Sequence, residues 1–389
     1  MVAHFITDFN KDGTSRFVCI AENLSNYNEV EIVTSKFSHI SKKQRLDQDY
    51  DLRTKITLLK EPTYNKNVCL QRFKSHKLFG EEVKRYLENR KKPDVIYCAV
   101  PSLDCAYYAA KYAKENDIKF IIDVQDLWPE AFKMILNVPL LSDVIFYPMQ
   151  RKADYIYSCA DKIVGVSETY CNRAASVNHK NADCLPIFLG TKLDCFDKNA
   201  QENKVIRDTD KFVIGYCGTL GHSYDIKCVL DAMVFLKKKG YSKISFWVMG
   251  DGPLKHEFEK YATDNDLDVV FYGRVPYEKM CGLLTACDVC VNPIRKGAAQ
   301  SIINKHGDYA ASGLPVINTQ NSPEYRNLIE EYKCGLNCGC SNSVQVAEAI
   351  AYLMHNTEER ITMGKAARLL AEERFDRNLS YLKIYQLFQ

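Results

Sequence analysis

The sequence predicts an α/β chain of two Rossmann-like β/α/β domains facing each other across a cleft. Three observations predict it. Short β-branched and aromatic runs, "AHFIT", "EVEIVTS", "DVIYCAV", "KFIIDV" and "KIVGVS", alternate with helical patterns through the first half, which is the signature of parallel β/α layers. The alternation restarts after the polar stretch 197–210 with "KFVIGYCG", "KISFWVMG", "DVVFYG", "DVCVNP" and "LPVINT". The chain of 389 residues, 46% of them hydrophobic, is also long enough to bury two cores.

The expected order is a first domain over 1–196, a linker over 197–210, a second domain over 211–374 and a closing segment over 375–389. The first helix of the second domain, "YDIKCVLDAMVFLKKKG", places Ile226, Val229, Leu230, Met233 and Leu236 on one face, with lysines in its last turn and Gly240 as its stop; that spacing is a core-facing helix. In open parallel sheets ligands bind beyond the carboxyl ends of the strands, so function is expected there.

Composition narrows the classes. A net charge of +3 is too small for a polyanion binder of this length, which argues against a nucleic-acid partner. The 16 cysteines are scattered along strands and helices without a preceding signal-peptide pattern, so a reducing, cytoplasmic setting is expected. "VPLLSDVIFYPM" is interrupted by Ser142, Asp143 and proline and is too short to span a bilayer.

Two motifs carry chemistry. "GYCGTLGHSYD" ends a strand with Gly218 and Gly221 and leads into a helix, which suits either an anion at the helix N-terminus or a tight turn that needs glycine. No G-x-G-x-x-G follows the first strand of either half, which argues against a nicotinamide enzyme. In "GAAQSIINKHGDYAASGLPVI", Asn304 to Ala311 forms about two helical turns, so Lys305 and Asp308 share one face. Either they form a surface ion pair, or, with Arg295 and Lys296 at the same strand end, they serve a ligand with a diphosphate and a ribose.

The second half, through "GYCGTLG", "WVMGDGPL", "VVFYGRVPYEKM", "ACDVCVNP", "NKHGDYAASGLPVI" and "SPEYRNLI", resembles the donor domain of family 4 glycosyltransferases of the GT-B fold. The first half resembles their acceptor domain more loosely, through "TSKFSHISKKQR", "IIDVQDLWPEAF" and "KIVGVSETY", in enzymes that build bacterial capsular or lipopolysaccharide chains. The resemblance implies sugar transfer from a nucleotide-diphosphate sugar, with UDP the expected nucleotide, to a growing, lipid-linked glycan, with retention of configuration and without metal or cofactor. It also implies a C-terminal helix over 375–389 that crosses back to the first domain, and a peripheral place on the inner face of the plasma membrane.

Carried over by position, Asp308 stands for the family's second motif glutamate and Gln300 for the first. The usual arginine is Thr219 and the usual lysine Tyr224, so the diphosphate needs other cations, with Arg274, Arg295, Lys296 and Lys305 as candidates. The implied donor set is Gly218, Thr219, Gly221, Val275, Arg295, Lys296, Gln300, Ser301 and Asp308; the catalytic candidates are Lys305, Arg274 and Asp126; the acceptor candidates are Asp12, Gly13, Trp128 and Glu130. A nucleotide-sugar epimerase of the same fold, or an inactive partner subunit, is the alternative.

Other patterns are discounted. Asp208 to Asp210 and "DNDLD" (264–268) read as linker and turn acids rather than a metal site, and "CGLNCGC" and "CDVC" lack paired zinc-knuckle spacing. His222 lies in the glycine loop, and the other histidines show no partner pattern and are mostly expected at the surface. The segment 72–92 has eight basic and three acidic residues. With Phe73, Leu78, Phe79, Val83, Tyr86 and Leu87 beneath them it is either an ordinary sheet-covering helix or one that docks on an anionic membrane.

Overall fold

A computed structural model describes residues 1–9, 15–66, 69–135, 139–207, 210–297 and 301–388, with the side chains of 133–135 and 139–141 excepted. The chain forms two compact units, Met1–Ile187 with Tyr381–Gln389, and Phe188–Ser380.

The division therefore precedes the polar stretch expected as linker. Leu193–Glu202 is a helix whose Leu193 and Phe196 are buried in the second unit's core, so much of the polarity from 197 onward is the wet face of a packed helix. At the other end, Phe375 is buried in the second unit. Only from Tyr381 does the closing segment join the first, where Tyr381 and Ile384 fill its core.

In the first unit the strands are β1 (Glu31–Ser35), β2 (Phe37–Ser38), β3 (Lys43–Gln44), β4 (Lys55–Leu59), β5 (Val95–Val100), β6 (Lys119–Val124), β7 (Lys162–Gly165) and β8 (Asp183–Pro186). β1 pairs with β4 in parallel, β5 to β8 form a parallel run, and β2 and β3 make a small antiparallel pair. The chain start ties the two parallel groups together: Val2 bridges Val33 on one side and Cys98 on the other. With Met1–Ala3 as the central strand, successive strands build outward to either side of it. Five of the six residues of β6 are buried, as expected of a strand covered on both faces.

The second unit holds β9 (Phe212–Cys217), β10 (Ile244–Met249), β11 (Val269–Gly273), β12 (Val289–Asn292), β13 (Val316–Asn318) and β14 (Gly335–Asn337). All are parallel, in the order β11-β10-β9-β12-β13-β14. The order reverses between β9 and β12, the switch point at which an open α/β sheet leaves a crevice. The helix Ile226–Lys238 buries the five apolar residues its spacing predicted, and the Asp225 side chain caps it by accepting from the Cys228 N–H.

Among the described residues no helix is long and apolar enough to cross a membrane. The basic segment is the helix Leu70–Glu88, which turns His76, Phe79, Gly80, Val83 and Leu87 inward. Phe73 does not lie beneath it as expected: it is 43% exposed, because it shares the outer face of Leu70, Lys74 and Lys77 at helical spacing.

Candidate active site

The switch point of the second unit is built by two loops. After β9 the chain turns through Gly218 at φ +142°, a conformation open to glycine alone, and a Cβ there would also meet the Lys305 Nζ at 2.7 Å. After β12, Ile294 bridges Tyr224 and the Arg295 N–H donates to the Ser223 carbonyl, locking the two loops together. The helix Asn304–Ala311 follows, with the bounds its sequence predicted. Gly307 lets it approach the chain at Thr191, whose Oγ1 would lie 2.7 Å from any Cβ at that position.

Lys305 is 7% exposed. Its Nζ is buried without a hydrogen-bond partner among the described residues and lies 4.2 Å from the ring centre of Tyr216 and 4.0 Å from that of Tyr224. Burial pushes its pKa down from 10.5 to about 7. Two aromatic faces attract the ammonium, but they do not replace the hydration it lost. Lys305 is thus a buried cation without a counter-ion among the described residues.

Asp308 does not pair with that cation. Its Oδ1 accepts from the Thr191 hydroxyl and from the Tyr277 hydroxyl, both at 2.9 Å, while Oδ2 carries no hydrogen bond among the described residues. Burial raises its pKa, against the hydrogen bonds from Thr191 and Tyr277. The sequence expected a ligand with a ribose at this acid; the fold supplies two protein hydroxyls to one oxygen and leaves the other without a hydrogen bond among the described residues.

The remaining expected residues fall as follows. Gly218 and Gly221 line the β9 loop, and Thr219 is exposed, its carbonyl accepting from the Tyr216 hydroxyl. Arg274, Arg295 and Lys296 are exposed at the ends of β11 and β12, and Val275 packs against the core beside Tyr277. Ser301 is buried and donates to the Glu324 carboxylate at 2.7 Å. Gln300, Asp12, Gly13 and Asp208 lie outside the described residues. In "DNDLD" each aspartate meets a lysine: Asp264 with Lys260, Asp266 with Lys237, Asp268 with Lys211.

In the first unit, Asp126 follows β6 and accepts from the Leu127 N–H at 2.9 Å and the Trp128 indole N–H at 3.3 Å. Burial raises its pKa against those bonds. Glu130 is held by Arg173, which also reaches Asp154.

Residues 197–370 match the family model described as glycosyl transferases group 1. That match covers most of the second unit, and the chain is similar there to group 1 glycosyl transferases. It is 23% identical over 291 residues, 70% of each chain, to WcaI of Escherichia coli (strain K12), whose name assigns it to colanic acid biosynthesis as a glycosyl transferase. Its fold is GT-B. Anabaena HepE, solved in complex with UDP, superposes with a TM-score of 0.72 at 14% identity, covering 100% of this chain and 99% of that one. WaaG, a glycosyltransferase involved in lipopolysaccharide biosynthesis, gives 0.65 at 14% identity over 100% and 99%. Sucrose-phosphate synthase from Thermosynechococcus elongatus gives 0.73 at 16% over 100% and 98%.

Two groups in this chain were not legible in the sequence, and both correct the expectation that most histidines beyond the glycine loop are surface residues. His306 is fully buried, stacked on Tyr325 at 3.4 Å between centroids and bonded to Asn292. It joins Asn292, Asn318 and Gln320 in a polar core beneath the β12 loop; Gln320 in turn donates to the Ser301 carbonyl at 2.6 Å. Burial holds His306 well below its ordinary pKa, so it is a neutral brace. The second group, His4, His39 and His76, gathers at the strand ends of the first unit. Their only sequence signal is position, each beyond or across from a strand end. His4, Glu61 and His76 bring ligating atoms within 4.8 Å of one another. Yet His4 already bonds Ser102 at 2.6 Å and Glu61 at 2.8 Å, Ser75 donates to the other Glu61 oxygen at 2.6 Å, and the Arg72 guanidinium lies 3.4 Å from His76. A cation beside the third ligand opposes a metal ion there.

Proposed function

We propose that the enzyme transfers a sugar from a UDP-sugar to a growing glycan of a bacterial surface polysaccharide, with retention of configuration. The observation that carries the donor half is the unpartnered, buried Lys305 ammonium at the β9/β12 switch point. HepE structures that hold UDP and UDP-glucose, and the polysaccharide roles named for WcaI and WaaG, support the same reading.

In this reading the diphosphate completes the charge of Lys305, and charge building on the leaving phosphate in the transition state is stabilised most at that point. Arg274, Arg295 and Lys296, exposed near the same strand ends, are further cations for it. Asp308 holds the ribose through Oδ2, while Thr191 and Tyr277 fix its orientation. Gly218, Thr219 and Gly221 bring backbone to the phosphates; Val275 lies beside the nucleotide, and the sugar is assigned to Gln300 and Ser301. Retention follows if the leaving phosphate takes the acceptor proton on the face it departs from, which needs no strong base. Asp126, Trp128 and Glu130, with Asp12 and Gly13, then belong to the acceptor side, at the inner membrane face.

Melting shifts with UDP, GDP, ADP and TDP, followed by their sugars, test the donor. A ligand at about 100 times its Kd stabilises by ~2.7 kcal/mol. UDP is expected to give the largest shift, and the anomeric configuration of the product, read by NMR, is expected to match the donor's. No response to any nucleotide rejects the donor reading, and an inverted product rejects retention.

A further inference from the structure

We infer that Arg377 is a positioning residue of the donor site, acting through Thr191 on Asp308 so that the second carboxylate oxygen meets the ribose diol of the nucleotide. This role rests on the donor reading and adds to it a residue that sets the preference for ribose.

Two stretches far apart in sequence meet behind Asp308. The Thr191 N–H donates to the Phe375 carbonyl at 2.8 Å and the Arg377 N–H to the Thr191 carbonyl at 3.0 Å, a parallel bridge between Thr191 and Asp376. Gly190, at φ +66°, permits the approach, since a Cβ there would lie 2.4 Å from the Phe375 carbonyl oxygen. The buried Arg377 side chain closes the junction: Nε donates to the Leu189 carbonyl at 2.9 Å and a terminal nitrogen to the Gly190 carbonyl at 3.1 Å. Residues 189 to 191 are thus held by backbone and side chain alike. Thr191 is 3% exposed, and its hydroxyl is one of the two that donate to Asp308 Oδ1. All of these residues belong to the second unit.

The same guanidinium supplies charge. Carbonyls accept its hydrogen bonds without cancelling its charge. Burial raises the Asp308 pKa, and the Thr191 and Tyr277 hydrogen bonds and the charge of Arg377 oppose that rise. The neighbouring Tyr277 phenol and the Cys217 and Cys281 thiols are pushed up by burial and by Asp308 itself, so they stay protonated. On the helix of Asp308, Lys305 faces Tyr216 and Tyr224, and His306 is turned to Tyr325. At the far end of that helix Arg368 is engaged by Asp197, Glu372 and the Ala311 carbonyl. Arg377 therefore favours the ionised carboxylate, the form that accepts strongly from a diol, while Thr191 aligns it.

The test compares affinities for UDP and its 2′,3′-dideoxy analogue by calorimetry, from about pH 5 to about pH 9. Both ligands carry the diphosphate, so their ratio cancels what Lys305 contributes as it titrates. Arg377→Gln is expected to cut the ribose preference at least ~tenfold. The pH at which that preference is lost on acidification should also rise, because without the cation burial lifts the Asp308 pKa further. Thr191→Val, which removes the hydroxyl and keeps the shape, should cut the preference as well. Arg377→Lys keeps the charge without the planar fork, so it should hold the pH profile and recover only part of the preference. Pyrophosphate affinity should be unchanged in all three, and melting curves check folding; if Arg377→Gln does not fold, Thr191→Val and Arg377→Lys carry the same comparison. Equal losses on both nucleotides, or an unmoved pH profile in Arg377→Gln, would make Arg377 a brace of the fold alone and overturn the inference. A chain that binds neither nucleotide fails the donor reading and this role with it, whereas binding with the same ratio in every variant fails this role alone.

Discussion

Lys305 and Asp308 lie three residues apart on one helix and do not bond each other: the ammonium faces Tyr216 and Tyr224, while the carboxylate faces Thr191 and Tyr277. Surface residues at this spacing commonly form a weak ion pair. Here each is taken by a different loop, so the two groups act separately and can be tested separately.

Lys305→Ala is expected to lower kcat ~10²-fold or more with a smaller change in KM, because the ammonium gains most as the diphosphate departs. Lys305→Arg should restore only part, since a planar fork does not reproduce a point charge between two rings. Steady-state kinetics decide; kcat within about twofold of the unaltered enzyme returns the charge to Arg274, Arg295 or Lys296.

Removing the same charge should stabilise the ligand-free protein. The folded pKa of Lys305, about 7, lies below the ordinary lysine value of 10.5. Near and below pH 7 the folded state bears the cost of the buried charge, and between about pH 7 and 10.5 the unfolded state binds more protons, so that cost fades as pH rises. Lys305→Met should therefore raise Tm at about pH 6, by ~2–4 °C for each ~1 kcal/mol regained, with the gain shrinking toward pH 10. A pH-independent difference rejects the assignment. With UDP the order should reverse.

Asp308→Asn is expected to cost ~1.5–3 kcal/mol of nucleotide binding, through the loss of a charged acceptor. The loss should be confined to nucleotides with ribose hydroxyls. Calorimetry with UDP and with its 2′,3′-dideoxy analogue on both proteins separates the cases, and equal losses on both ligands would assign Asp308 to structure alone. Tyr277→Phe, which removes one hydroxyl from Oδ1, should weaken ribose binding less.

In the first unit, Arg16 donates to Asp123 at 2.8 Å in a buried pair, and the Tyr97 hydroxyl donates to the same oxygen at 2.5 Å. Arg16→Met leaves that carboxylate without its cation and is expected to cost ~3–5 kcal/mol. Arg16→Met with Asp123→Leu should recover much of the loss. Urea denaturation of the three proteins measures it, and a single variant as stable as the parent would show that the pair carries no such weight.

Local pattern made much of the fold legible. Each of the ten runs read as strands contains or adjoins a parallel strand or the bridging chain start, and the helices Ile226–Lys238 and Asn304–Ala311 lie where period and stop signals put them. The linker was misplaced because the outer face of a packed helix and a solvated linker have the same composition. Of the candidate site, the turn at Gly218 and the helix shared by Lys305 and Asp308 were legible, because each is local in sequence. The partners that set their chemistry were not: Tyr216, Thr191 and Tyr277 are 89, 117 and 31 residues from the groups they meet, and no local spacing encodes such meetings.

By itself, then, the sequence determined two α/β layers, the strand ends at which a ligand is expected, and a lysine and an acid on one short helix, since hydrophobic period and turn chemistry act over a few residues. Only the tertiary structure decided that the lysine is buried without a counter-ion, that the acid is already half-occupied, and that His4, His39 and His76 converge. Burial and desolvation, which set the charge state of each group, depend on what packs against it from distant parts of the chain.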